Sequence, residues 1–200
     1  MSSRFLPCLR AHLGMLTIVV PLLTFGSCVR TKPLSPEALA LREQHLRELL
    51  RAGTASLRQN RISHAEAAFQ LARELHPEDP RALDGLGCVA WRKRNVRLAE
   101  HFFVRAAAVN PEYDRPVAHL ALVAEARGHH RAARELLRRA IRMNPLSFRW
   151  RNNFAAVLLR GADGPRNEEA YRELLKAFEL AGPDDPVVRY NLENVLRESE

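Results

Sequence analysis

Apolar and small residues recur along this chain three and four positions apart, in short runs separated by polar turns. That spacing marks amphipathic helices rather than strands. Ser35-Pro36-Glu37 predicts the first helix start, with a hydroxyl to cap free N–H groups, Pro in the first turn and an acid near the positive end of the helix dipole. The helix is predicted over about 36–59, with Leu39, Leu46, Leu49, Leu50 and Leu57 among its apolar positions. Further helices are predicted at about 63–75, 80–93, 96–109, 113–127, 129–143, 147–160 and 167–180. A last one, about 185–198, would carry Leu192 and Leu196 at apolar positions and turn Arg189, Glu193 and Arg197 outward.

These runs repeat. Gly53, Ala65, Phe69, Ala72 and Pro77 return 34 residues later as Gly87, Ala99, Phe103, Ala106 and Pro111, and again as Ala121, Ala133, Leu137, Ala140 and Pro145. Small residues let two helices cross closely, the bulky apolar residue fills the gap to the next unit, and Pro stops the second helix. If the stretch Gly161 to Pro165 adds about three residues, Ala170, Leu174 and Ala177 continue the series. A 34-residue period with this signature resembles the tetratricopeptide repeat (TPR). The resemblance implies an all-α superhelical solenoid of antiparallel helix pairs over 35–200. Repeats would fall at about 46–79, 80–113, 114–147 and 148–185, followed by a capping helix over 186–198.

The N-terminus follows a different pattern. Arg4 and Arg10 precede an apolar run from Met15 to Phe25, followed by Gly26-Ser27-Cys28. Basic, apolar, then small is the order of a secretory signal. The run is too short to span a hydrocarbon core of ~30 Å as a helix. Phe25-Gly26-Ser27-Cys28 resembles a bacterial lipobox, although Phe25 stands where Leu is usual. The resemblance implies a signal peptide over 1–27, lipidation of Cys28, a tether over 28–34 and anchoring in the cell envelope. Val29 stands where an Asp would mark inner-membrane retention, so the outer membrane is the expected site. A plain signal cleaved nearby, or an uncleaved anchor, are the alternatives. The tether reaches at most about 25 Å, which would hold the domain close to its membrane.

Charge alters this picture little. Losing residues 1–27 removes Arg4 and Arg10 and no acid, so the net charge falls from +8 to +6. Lys occurs only at 32, 93 and 176, so the basic residues are almost all Arg. Export argues against a nucleic-acid partner. Cys88 would be the one cysteine left beyond the anchor, which excludes an intramolecular disulfide framework. No cysteine or histidine spacing predicts a metal site, and no phosphate loop, nucleophile elbow or His-x-x-x-His pair is present. His64 and Glu66 open a deaminase-like pattern that no Pro-Cys-x-x-Cys completes. The expectation is a non-enzymatic protein without cofactor or metal.

Its candidate site follows from the repeat. In TPR proteins the concave surface comes mainly from the first helix of each pair, at repeat positions 2, 5, 9, 12 and 13. Position 2 is Arg47, Arg81, Arg115 and Arg149, a ladder of guanidinium groups. Trp91 and Leu122 stand at deeper positions, as an aromatic anchor and part of an apolar floor, interrupted by Asp84, Glu125 and Asn152. Such a groove suits a protein segment carrying acids or a free carboxylate. The clamp that grips chaperone C-termini is absent, because Leu50, Thr54 and Gly85 occupy its Lys, Asn and Asn positions. Arg131, Arg134, Arg138 and Arg142 form a stripe on a second helix, which reads as a solvated convex face or, less readily, as a docking face for anionic lipid.

Together these features predict a membrane-anchored adaptor. The lipobox close to the first repeat, with Asn152-Asn153-Phe154 and Ala170-Tyr171, resembles pilotin-like TPR lipoproteins of type IV pilus and Tad systems. That resemblance implies help for secretin subunits. A soluble periplasmic chaperone-like peptide binder and a recruiter of cell-wall enzymes are the alternatives.

Overall fold

The computed structural model describes residues 35–160 and 168–199. The signal segment, Cys28, the tether and the turn at 161–167 lie outside the described residues. Those described form nine helices and no strand: α1 (Pro36–Arg58), α2 (Ile62–Leu75), α3 (Pro80–Arg92), α4 (Val96–Val109), α5 (Asp114–Ala126), α6 (His130–Met143), α7 (Phe148–Leu159), α8 (Glu168–Ala181) and α9 (Pro186–Ser199). The architecture is the expected all-α solenoid. Each helix packs on the one before and the one after it, and α1, α3 and α5 also touch in turn, as do α7 and α9. The odd-numbered helices therefore form one layer and the even-numbered helices the other.

Local chemistry sets the starts of α1, α3 and α4. Ser35 Oγ accepts from the Ala38 N–H, Asp79 Oδ1 from those of Arg81 and Ala82, and Asn95 Oδ1 from that of Leu98. Each supplies acceptors to N–H groups that the first helical turn leaves free. The turns inside the first three pairs repeat as faithfully as the sequence. Asn60, Arg94 and Gly128, 34 apart, all have positive φ. Just beyond them the N–H groups of Arg61, Asn95 and His129 reach back to the carbonyls of Ser56, Ala90 and Ala124. This six-to-one closure satisfies carbonyls at the helix end and requires the left-handed residue.

The periodic small residues lie at the helix crossings. Ala65, Ala72, Ala99, Ala106, Ala133, Ala140, Ala170 and Ala177 have no exposed surface, and Phe69, Phe103, Leu137 and Leu174 fill the space between them. A Cβ on Gly53 would come within 2.7 Å of the Phe69 ring, and one on Gly85 within 2.4 Å of the same ring. Phe69 thus lies between a glycine of its own repeat and one of the next. The two ends depart from expectation. Leu39 is half exposed, because α1 begins before α2 can cover it, and in α9 the buried residues are Val188 and Val195 while Leu196 is 44% exposed. Leu192 still packs on the core, so the inward stripe of α9 runs through 188, 192 and 195.

Candidate functional site: the concave groove

The layer of odd-numbered helices lines a groove in two sections that meet at Thr54, Arg58 and Arg115. The N-terminal section encloses about 640 Å³ and the C-terminal section about 700 Å³. Their chemistry differs sharply.

Arg47, Arg51, Arg58, Arg81 and Arg115 line the N-terminal section over an apolar floor that includes Leu50, Phe69 and Gly85, with no acid among the lining residues. Gly85 has no side chain, and the buried Phe69 ring packs directly against it. Two of the five cations are already committed. Arg81 Nη2 donates to Asp79 Oδ2 at 2.6 Å, and Arg115 Nη2 lies 3.3 Å from Asp84 Oδ2. Arg47, Arg51 and Arg58 have no ion-pair partner among the described residues. Burial opposes the charge of Asp79, but the Arg81 side chain and the N–H groups of Ala82 and Arg81 outweigh it and hold the carboxyl below its usual range.

The C-terminal section mixes charges, with Asp114 and Asp185 among Arg58, Arg92, Arg115 and Arg149. Trp150 Nε1 donates to Asp114 Oδ2 at 2.6 Å, and Asn144 Nδ2 donates to the same oxygen at 3.0 Å. Asn191 Nδ2 donates to Asn152 Oδ1 at 2.8 Å, tying α9 to α7. Arg149 lies over the Phe148 ring, 5.3 Å from its centroid. Nearby, outside this lining, Glu125 is partly desolvated, yet bonds from His130 and Arg160 hold it below its usual range.

Between the sections lies a buried polar cluster. Asp84 is 1% exposed, and its Oδ1 is 2.7 Å from His119 Nδ1. Cys88 Sγ lies 3.7 Å from the same nitrogen. The rings of Phe103 and Trp150 pack on His119, at 4.9 and 5.9 Å between centroids. Burial disfavours the charged imidazole, but the Asp84 carboxylate and the Cys88 sulfur prevail and raise His119 to about 10. Burial, with Asp84 nearby, also pushes the Tyr113 phenol well above its usual value.

Of the residues singled out by sequence, Arg47, Arg81 and Arg115 line the N-terminal section, and Arg115, Leu122 and Arg149 line the C-terminal one. Trp91 is placed apart from both linings, half-buried against Ala90, Ala99, Phe103 and Val123. On the second-helix stripe, Arg138 is engaged, bonded to Glu169 and lying over the Phe154 ring. Sequence reasoning singled out neither Arg51 and Arg58 nor His119 and Trp150. Arg58 stands at repeat position 13, so the family pattern held that signal. No cysteine–histidine spacing in the sequence predicts a metal site, yet Cys88 and His119 meet although 31 residues apart, because α3 and α5 lie side by side in the inner layer.

The tetratricopeptide repeat profile matches residues 50–115 and 118–186, and the chain belongs to that family of protein-binding scaffolds. Among solved structures it is similar to PilF of Pseudomonas aeruginosa, at 19% identity and a TM-score of 0.66, over 79% of this chain and 70% of that one. TTC0263, a TPR protein of Thermus thermophilus, matches at 21% identity and 0.65, over 80% and 89%. The first TPR domain of Spaghetti (RPAP3), bound to the HSP90 peptide SRMEEVD, matches at 17% and 0.51, over 57% and 91%. At such identities the likeness is one of fold. No curated protein sequence matches the chain.

Proposed function

We propose that this protein is a membrane-anchored adaptor that holds an acidic segment of a protein partner in the N-terminal section of its groove. The observation that carries the reading is the set of Arg47, Arg51 and Arg58, three cations with no ion-pair partner among the described residues above an apolar floor. Guanidinium groups bind carboxylates through paired, charge-assisted hydrogen bonds, and the floor lined by Leu50 and Ala55 offers apolar contact between them. The test is fluorescence anisotropy with a Glu-rich peptide and its Gln-substituted twin. Arg47→Gln/Arg51→Gln should weaken the acidic peptide and lower its salt sensitivity, whereas Arg134→Gln/Arg142→Gln on the other layer should not. Equal losses from the two pairs would mean general charge attraction and no groove binding.

The anchoring half of the reading rests on Gly26-Ser27-Cys28 after the apolar run. Mass spectrometry of the membrane fraction should find diacylated Cys28 as the mature N-terminus. An unmodified chain starting elsewhere would favour a soluble periplasmic peptide binder instead. Within the envelope, the lipobox near the first repeat and the fold shared with PilF favour a pilotin-like role at the outer membrane over recruitment of cell-wall enzymes. Secretin that still assembles normally without this protein would exclude that role.

A further inference from the structure

We propose that Asp84, Cys88 and His119 form a zinc site that clips α3 to α5 at the floor of the groove. Asp84 and Cys88 are four apart on α3, so their side chains share one face. His119 is presented from α5 of the following repeat. One donor atom from each residue lies within 4.8 Å of the others. Tetrahedral zinc, with bonds of about 2.0–2.3 Å, sets its donors roughly 3.3–3.6 Å apart. The 3.7 Å from Cys88 Sγ to His119 Nδ1 is close to that spacing, and the 2.7 Å from His119 Nδ1 to Asp84 Oδ1 must open by about half an ångström.

A second observation points the same way. Asp84 Oδ2 is buried and has no hydrogen-bond partner among the described residues, and the charge beside it is the Arg115 guanidinium at 3.3 Å. A carboxylate oxygen without a hydrogen bond in so buried a place is costly, the ion pair offsets only part of that cost, and a metal held by both Asp84 oxygens would complete its coordination. Thiolate, imidazole and carboxylate together suit zinc rather than magnesium or calcium, which take oxygen donors. His119 lines the C-terminal section, so a fourth position open to the groove can take a water. Binding would displace the proton from the Cys88 thiol and the one that His119 shares with Asp84.

The full chain, stripped with chelator in detergent, tests this by titration with Zn²⁺ and, as a spectroscopic probe, Co²⁺. One equivalent should bind with a thiolate charge-transfer band, and the melting temperature should rise with Zn²⁺. The band should survive Cys8→Ser/Cys28→Ser and vanish in Cys88→Ser, which preserves the size of the side chain. Cys88→Ser and His119→Gln should each weaken Zn²⁺ binding by more than about 100-fold, beyond the loss typical of outer-shell changes. His129→Gln/His130→Gln should change nothing. Failure of the intact chain to bind one equivalent, or equal affinity in Cys88→Ser, would leave the cluster as an ion-pair network alone and overturn the proposal.

Discussion

Repeat position 6 separates the two sections of the groove. In the second repeat it is Gly85, and the buried Phe69 ring packs directly against it behind the groove wall. In the third it is His119, which packs on the equivalent ring of Phe103 and brings a charge into contact with Asp84. The same backbone thus yields an apolar, arginine-rimmed section with no acid in its lining and a second section in which Asp114 and Asp185 stand among the arginines. Which charges are free to meet a partner depends on how many of them the fold has already paired. Arg47, Arg51 and Arg58 remain without an ion-pair partner among the described residues, while Asp114 holds Trp150 and Asn144, and Asp84 holds His119.

The largest expected effect removes the ring packed between Gly53 and Gly85. Phe69→Ala should cost about 3–5 kcal/mol by denaturant unfolding, because the ring fills the gap between two repeats. A loss well under 1 kcal/mol would mean that this packing is not what joins the repeats. Next come changes that crowd the crossings. Gly85→Ala puts a Cβ 2.4 Å from the Phe69 ring, and should cost about 1–3 kcal/mol while weakening peptide binding. Ala99→Leu, at a crossing with no exposed surface, should be damaging by the same mechanism. Wild-type melting in the Ala99→Leu chain would contradict the close crossing.

A smaller effect separates a titrating helix cap from a fixed one. Asp79→Ala and Asn95→Ala should each cost about 0.5–2 kcal/mol at neutral pH, through lost N-caps on α3 and α4. Asp79 has a lowered folded pKa, so its contribution is complete above the unfolded value near 4 and fades as pH falls through the folded one. The gap between wild type and Asp79→Ala should therefore close in acid, and that for Asn95→Ala should not. Parallel behaviour of the two caps would show that Asp79 acts without its charge. The smallest effects are single rim charges. Arg47→Ala or Arg51→Ala should weaken an acidic peptide by no more than about fivefold. Arg81→Ala should do less, since that guanidinium is already bonded to Asp79. A greater loss from Arg81 than from Arg47 would reverse the division between free and paired cations.

The sequence by itself determined the helices, the turns and the period. Those depend on local rules: the Ser35 hydroxyl before the first helix, a small residue where helices cross and Pro where the second helix of a pair ends. The same periodicity placed Arg47, Arg81, Arg115 and Arg149 at one position of the repeat, and the structure puts them along the groove. Trp91 shows the limit of that reasoning. A repeat position fixes the direction of a side chain from its helix, but neighbouring helices decide whether the chain end meets solvent or core. The meeting of Asp84, Cys88 and His119 was likewise decided by tertiary packing, because residues 31 and 35 apart touch only once two helices lie side by side. So was the pairing of charges. Composition counts arginines, whereas the distance from each guanidinium to its nearest carboxylate exists only in the folded chain.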